Sequence, residues 1–247
     1  MCFDADSRPP ISPNPDGPAE SGEVILTAGD GTRLRAFRER APAPIGVGVL
    51  VLPDQRGLHR YYEELAERFG ELGMDALAID WYARTAGTAP HGPDFDEHPH
   101  IPGLSFAGLL ADITAGFTYL RSAEGGAVPR LVPVGFCLGG RLAFLCATRT
   151  DADASVAYYG VGLEGLLGEK HAIARPLMLH IAGADHFVTP DKQKLIHDGL
   201  DDHPKVVIHD YPGEDHGFAA EMGKRRSEQA ARLADSRTEA FFDEHLG

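Results

Sequence analysis

The sequence predicts an α/β protein: a mostly parallel central sheet with helices on both faces, entered through an N-terminal antiparallel hairpin. Three observations carry this. From residue 45 onward, short apolar runs alternate with longer segments of helical spacing. That alternation is what a parallel sheet covered by helices requires. Residues 45–52 hold no charged or polar side chain, as expected of a strand buried on both faces. Gly29-Asp30-Gly31 separates two short strand-like segments, a hairpin signal.

The elements follow in order. Residues 1–20 carry five of the eighteen prolines and little that can pack, so they are expected to form a tail, with Cys2 exposed in it. The range 21–247 is expected to be one domain. Residues 23–27 and 33–40 make the hairpin, and the apolar run 45–52 is ended by Pro53. Residues 59–72 place Tyr62, Leu65, Phe69 and Leu72 on one helical face, and Gly73 closes it. A second buried strand is expected at 75–80. Residues 85–103, rich in Pro, Gly and His, read as a loop. Residues 105–121 form a helix with Phe106, Leu109, Leu110, Ile113 and Phe117 inward. Strands are expected at 130–135, 155–159, 177–182 and 206–211. Helices are expected at 138–148, 190–200 and 227–245.

Composition bounds the function. The chain has 247 residues and a net charge of −14, which disfavours nucleic acid as a partner because phosphate is repelled. No apolar run approaches the roughly 18 residues of a membrane span. The N-terminal MCFDADSRPP lacks a basic start and an apolar core, so no secretory signal is read there. Three cysteines are an odd number and no disulfide framework, so a reduced, cytoplasmic setting is expected.

The sharpest motif is Gly135-Phe136-Cys137-Leu138-Gly139-Gly140, between a strand and a helix. It is the strand–turn–helix setting of a nucleophile elbow, with Cys in place of Ser. Glycines let strand and helix approach around a strained turn. The Leu138 N–H at the helix start can then face a developing oxyanion, and the helix N-terminus favours a thiolate. The competing reading is a small buried cysteine in a glycine-rich βα turn. Such turns also bind phosphates, but GxGxxG and a phosphate-loop lysine are absent here. Asp185 follows the strand 177–182, and His216 follows the strand 206–211. Taken singly, Asp185 suits a turn or a helix cap and His216 a solvated loop. Taken together, a nucleophile, an acid and a histidine in that order, each after a successive strand, match the α/β-hydrolase arrangement.

These segments resemble the dienelactone hydrolase family, cysteine-dependent members of the α/β-hydrolase fold, from about residue 23 to the C-terminus. GFCLGGRLAF is similar to the family's nucleophile segment, AGADHFVTP to its acid segment and GEDHGFAA to its histidine segment. DWYAR, residues 80–84, resembles the segment with a substrate-binding arginine, Arg84. The resemblance implies hydrolysis of a small-molecule ester or lactone by a monomer, with no metal or organic cofactor. It implies Cys137 as nucleophile, His216 as proton carrier and Asp185 as its orienter. It implies oxyanion donors at Leu138 and Gln55, and a thiol-activating carboxylate at Asp54. Two positions depart from the family pattern. Asp54 stands where the family has Glu, and Ala220 stands where it has a second substrate-binding Arg.

The remaining features have plainer readings. His91, His98 and His100 fit no standard zinc spacing and read as a solvated loop, one that could also roof a pocket. His186 reads as a packing or surface residue. Trp81 and Tyr82 suit the core or the wall of a pocket. Phe136 is expected beneath the elbow, and Cys146, 2.5 helical turns beyond Cys137, in inert core. The alternative class is a non-catalytic small-molecule-binding or thiol-sensing protein on the same fold. Acyl transfer from the same site is a third reading.

Overall fold

A computed structural model describes residues 2–10, 20–92 and 94–247. The chain falls into two compact units, Ser12–Leu131 and a second made of Met1–Ile11 with Val132–Gly247.

The first unit opens with the hairpin of β1 (Glu20–Thr27) and β2 (Arg33–Arg40), paired antiparallel from Glu20↔Arg40 to Thr27↔Arg33. Its turn closes through Ala28 N–H to Thr32 O at 2.8 Å and Gly31 N–H to Ala28 O at 2.9 Å. Gly31 takes the left-handed φ of 84° that this turn demands. β3 (Val47–Leu52) and β4 (Asp75–Ile79) are parallel and buried at every residue, as the unbroken apolar run requires. The strand order is β1-β2-β4-β3, with β2 and β4 antiparallel.

Helix α1 (Arg60–Glu71) buries Tyr61, Tyr62, Leu65, Ala66 and Phe69. Gly70 of α1 meets the Glu39 side chain, whereas Gly116 of α3 (Phe106–Arg121) meets Leu50 and Ile79. In register, Glu39 lies opposite Ala76 and Ala76 opposite Val49, while Leu50 lies opposite Leu77. Because side chains alternate along a strand, α1 and α3 cover opposite faces of this sheet. Ser105 caps α3 by accepting from Gly108 N–H at 3.1 Å. The inward stripe of α3 is Leu109, Ile113, Phe117 and Leu120. Phe106, expected inward, is 38% exposed, because the stripe starts one turn later than its position at the first residue of the helix.

The segment expected to be a solvated loop is in part ordered packing. It holds the single turn α2 (Ala83–Ala86), a 3₁₀ turn at Ile101–Gly103, and an aromatic stack. Phe95 lies between His91, at 3.9 Å, and His100, at 5.3 Å, and all three rings lie against Tyr82. His98 alone of the three histidines is exposed.

The second unit holds β5 (Arg130–Phe136) from Val132 onward, β6 (Ser155–Tyr158), β7 (Leu177–Ala182) and β8 (Val206–Tyr211), parallel neighbours in that order. Its helices are α4 (Leu138–Arg149), α5 (Pro190–Leu200) and α6 (Glu228–Leu246). A 3₁₀ helix at Leu163–Ala172 has no counterpart in the sequence reading. It buries only Leu163 and so carries no 3.6-residue apolar face to read.

The N-terminal residues depart from the expected tail. Residues 11–19 lie outside the described residues. Residues 2–10 dock on the second unit through an antiparallel bridge, Arg8 N–H to Met222 O at 3.1 Å and Glu221 N–H to Arg8 O at 3.0 Å. Cys2 and Phe3 are fully buried, so the expectation of an exposed Cys2 is wrong. Phe3 supplies the apolar surface that drives this docking, edge-on to Phe136 at 5.9 Å.

Candidate active site

The elbow sits where β5 hands over to α4. Cys137 has φ 56° and ψ −110°, a left-handed backbone that few non-glycine residues adopt. Its carbonyl accepts from Arg141 N–H at 3.1 Å and Val161 N–H at 3.2 Å, and its own N–H donates to Tyr158 O at 3.0 Å. Those bonds hold the strained residue in place. The glycines are sterically required. A Cβ on Gly135 would lie 1.9 Å from Gly139 O, and one on Gly140 would lie 2.5 Å from Tyr158 O. Leu138 begins α4, so its N–H belongs to the turn that lacks helical carbonyl partners. Beneath the elbow Phe136 stacks on Tyr158 at 4.6 Å, as expected.

The loops after β7 and β8 are stitched together. Gly183 N–H donates to Tyr211 O at 2.9 Å, and Ala184 N–H to Glu214 O at 2.8 Å. Asp185 and His216 are thereby brought into contact: Asp185 Oδ2 accepts from His216 Nδ1 at 2.7 Å. Asp185 Oδ1 accepts from Phe187 N–H at 2.7 Å and Val188 N–H at 3.1 Å, so both carboxylate oxygens are committed. Tyr159 and Phe187 lie edge-on to the imidazole at 4.8 and 4.9 Å. Asp185, His216 and Cys137 are all buried. Burial pulls the His216 pKa down, but hydrogen bonds to Asp185 and then Cys137 outweigh it and lift the value to about 9. The structure thus brings Cys137, Asp185 and His216 together within the second unit.

A fourth group stands there that the sequence reading placed elsewhere. Cys2 Sγ lies 3.2 Å from His216 Nε2. Cys2 Sγ, Cys137 Sγ and a ring nitrogen of His216 all fall within 4.8 Å of one another. Position 2 carries no local pattern that could signal this, and the apolar Phe3 beside it is the only trace. Cys146 is inert core as expected, its thiol pushed up by burial. His186 is half-exposed against Asp215, at 2.7 Å.

The other candidate residues lie in the first unit. Trp81 and Tyr82 are fully buried. Trp81 Nε1 donates to the carbonyls of Pro53 and Asp54, at 3.2 Å each, and Tyr82 OH donates to the Gln55 carbonyl. Asp54 is buried, its Oδ1 accepting from Arg56 N–H at 2.8 Å and lying 3.9 Å from His59 Nε2. Burial holds His59 down at about 4. Tyr62 OH accepts from Asp54 N–H at 2.9 Å, so Gln55 sits in a loop pinned by three aromatic side chains and one carboxylate.

Arg84 is engaged inside the protein. Nε donates to Asp112 Oδ2 at 3.2 Å and Nη2 to Asp112 Oδ1 at 2.7 Å and Gly108 O at 3.2 Å. Nη1 donates to Asp30 Oδ2 at 2.6 Å and Thr32 Oγ1 at 2.9 Å. A guanidinium has five N–H donors, and these five bonds use them all. In this arrangement Arg84 has no donor left for a substrate carboxylate.

No helix among the described residues is long and apolar enough to cross a membrane. The chain has the α/β-hydrolase fold. A crystal structure from Klebsiella pneumoniae superposes with a TM-score of 0.78 at 24% identity, covering 92% of this chain and 99% of that one. A relative from Azospirillum brasilense is 33% identical over 237 residues, 91% of this chain and 99% of its own. The carboxymethylenebutenolidase of Pseudomonas putida is 32% identical over 208 residues, 82% of this chain and 86% of its own. The pattern that defines the dienelactone hydrolase family matches residues 34–246, with the elbow, the acid and the histidine all inside that span, and the chain belongs to this family.

Proposed function

We propose that the protein hydrolyses carboxylic esters or lactones through a thioester on Cys137. The observation that carries the reading is the 2.7 Å bond between Asp185 and His216 Nδ1, which leaves Nε2 of the same ring to serve the thiol on the strained elbow. With the Cys137 proton held on His216 Nε2, the thiolate attacks the substrate carbonyl. The Leu138 N–H bears the charge that forms on oxygen. Nε2–H then protonates the leaving alkoxide. Water, giving its proton to Nε2, attacks the thioester and releases the acid and the thiol. Asp185 keeps the ring in the tautomer with a proton on Nδ1 and stabilises it when charged.

Asp54, Trp81 and Tyr82 hold the loop that carries Gln55 within the first unit, where their bonds end. Arg84 has its donors committed to Asp112 and Asp30, so we assign it to that ion-pair cluster. We read the compartment as the reducing cytoplasm, since all three cysteines are free thiols.

The test is steady-state turnover of a p-nitrophenyl ester, a neutral lactone and an enol lactone bearing a carboxylate, with wild type beside Cys137→Ala. Turnover by wild type and its loss in the variant are expected. Full activity in Cys137→Ala refutes the mechanism. Folded wild type that turns over none of the three refutes the hydrolase reading and leaves a ligand-binding protein on this fold.

A further inference from the structure

We propose that Cys2, Cys137 and His216 form a binding site for a thiophilic divalent cation of the zinc type, and that its occupancy blocks hydrolysis. The blocking half rests on the role given above to Cys137 and His216, whereas the binding half does not. The donor set is two thiols and one imidazole, which suits zinc, and a three-ligand set leaves a fourth tetrahedral position for water.

Geometry supports it. The three ligand atoms lie within 4.8 Å of one another, and Cys2 Sγ is 3.2 Å from His216 Nε2. Zinc bond lengths put tetrahedral S···S and S···N separations at roughly 3.8 and 3.5 Å, so adjustments of about 1 Å or less close the site. All three residues are buried, where a coordinated metal is shielded from competing water. The outer partner is in place as well. His216 Nδ1 faces Asp185 Oδ2 at 2.7 Å, the carboxylate–histidine arrangement that orients and strengthens a metal-binding imidazole. Asp185 is itself fixed by two backbone N–H groups.

Cys2 is held where the metal needs it. The bridge between Arg8 and Met222, the buried Phe3 and the Ser7–Asp4 bonds at 3.0 Å anchor the segment. The Cys2 carbonyl packs so closely on Gly217 that a Cβ there would lie 2.5 Å from it. Gly217 has φ 82°, so glycine suits that position twice over. The proposed hydrolysis has no use for Cys2, so nothing in the triad explains a second thiol at Nε2.

On binding, Cys2 and the Cys137–His216 pair release their protons to solvent, both sulfurs become metal thiolates, and the deprotonated Nε2 gives its lone pair to the metal. Neither Cys137 nor His216 can then attack or carry a proton. A chelator that strips the metal returns both.

The experiment uses the 247-residue chain with no added N-terminal tag, reduced and freed of metal. Cobalt(II) is titrated in and the thiolate-to-cobalt charge-transfer absorption is read; zinc then displaces it to give the zinc affinity. Wild type should bind one metal per chain with that absorption, lose p-nitrophenyl ester turnover as zinc fills the site, and recover it with EDTA. Cys2→Ser should weaken zinc by about 100-fold or more, since losing an outer-shell partner alone costs about 10–100-fold. Its loss of turnover to zinc is read against its own metal-free rate. Cys2→Ala, with folding checked by circular dichroism, repeats the test if the serine variant is unstable. Cobalt binding without the thiolate band, unchanged zinc affinity in the Cys2 variants, or turnover that persists with zinc bound overturns the proposal. If wild type has no esterase activity, the hydrolase reading fails, and the cobalt titration decides the site without it.

Discussion

Asp185→Asn tests the triad at the atom where its chemistry is set. In the native protein Asp185 Oδ1 accepts two backbone N–H groups, from Phe187 and Val188, and Oδ2 faces His216 Nδ1. An asparagine must therefore keep its carbonyl oxygen toward the two backbone donors. Its NH₂ then points at Nδ1, which has to accept, and the ring's proton moves to Nε2. That is the tautomer unable to take a proton from the thiol. In hydrolases where this exchange freezes the wrong tautomer, the rate falls about 10⁴-fold, roughly 5 kcal/mol of transition-state stabilisation.

The variant also changes the titration of the ring. His216 stands at about 9 against an ordinary 6.5, with the Asp185 bond as the largest raising contribution. A raised folded-state pKa stabilises the fold fully below pH 6.5, and that contribution is lost as pH rises through 9. The window is worth up to about 3 kcal/mol. In Asp185→Asn the His216 pKa should drop well below 9, and the fall in stability over pH 6.5–9 should shrink. Turnover against pH and histidine NMR titration read both effects. If kcat stays within about threefold of wild type while His216 still titrates near 9, the reasoning is refuted.

Two further outcomes follow from the first unit. Arg84→Ala leaves the fully buried Asp112 carboxylate unpaired, which should cost about 3 kcal/mol at pH 7 by chemical denaturation, with much of it regained in Arg84→Ala/Asp112→Asn. If Arg84 instead anchors substrate, the single variant will lose activity selectively on the carboxylated lactone. Burial, then the charges of Glu67, Glu71 and Asp75, raise buried Glu39 from 4.5 to about 7. The folded state thus holds a proton that the unfolded chain has released, and stability falls as pH rises from 4.5 to 7. Glu39→Gln should match wild type at pH 4 and exceed it at pH 8 by up to about 3 kcal/mol in thermal or urea melts.

Much of this protein is local in the chain and therefore legible there. The continuous apolar run behind β3, the helical face of α1 and the glycines around Cys137 act over a few residues each, and the structure places them as their patterns imply. The order Cys137, Asp185, His216 is legible for a related reason. Parallel strands put successive loops at one end of a sheet, so chain order becomes spatial neighbourhood. The sequence by itself thus determined the fold class, the elbow and the three residues that meet at it. Tertiary structure alone decided two things. Cys2 reaches His216 across 214 positions of chain, and Arg84 finds Asp30 and Asp112 at separations of 54 and 28. Neither is written in any periodicity. An apolar anchor places the first, and buried charges that must be paired place the second, and both depend on which surfaces the finished fold brings into contact.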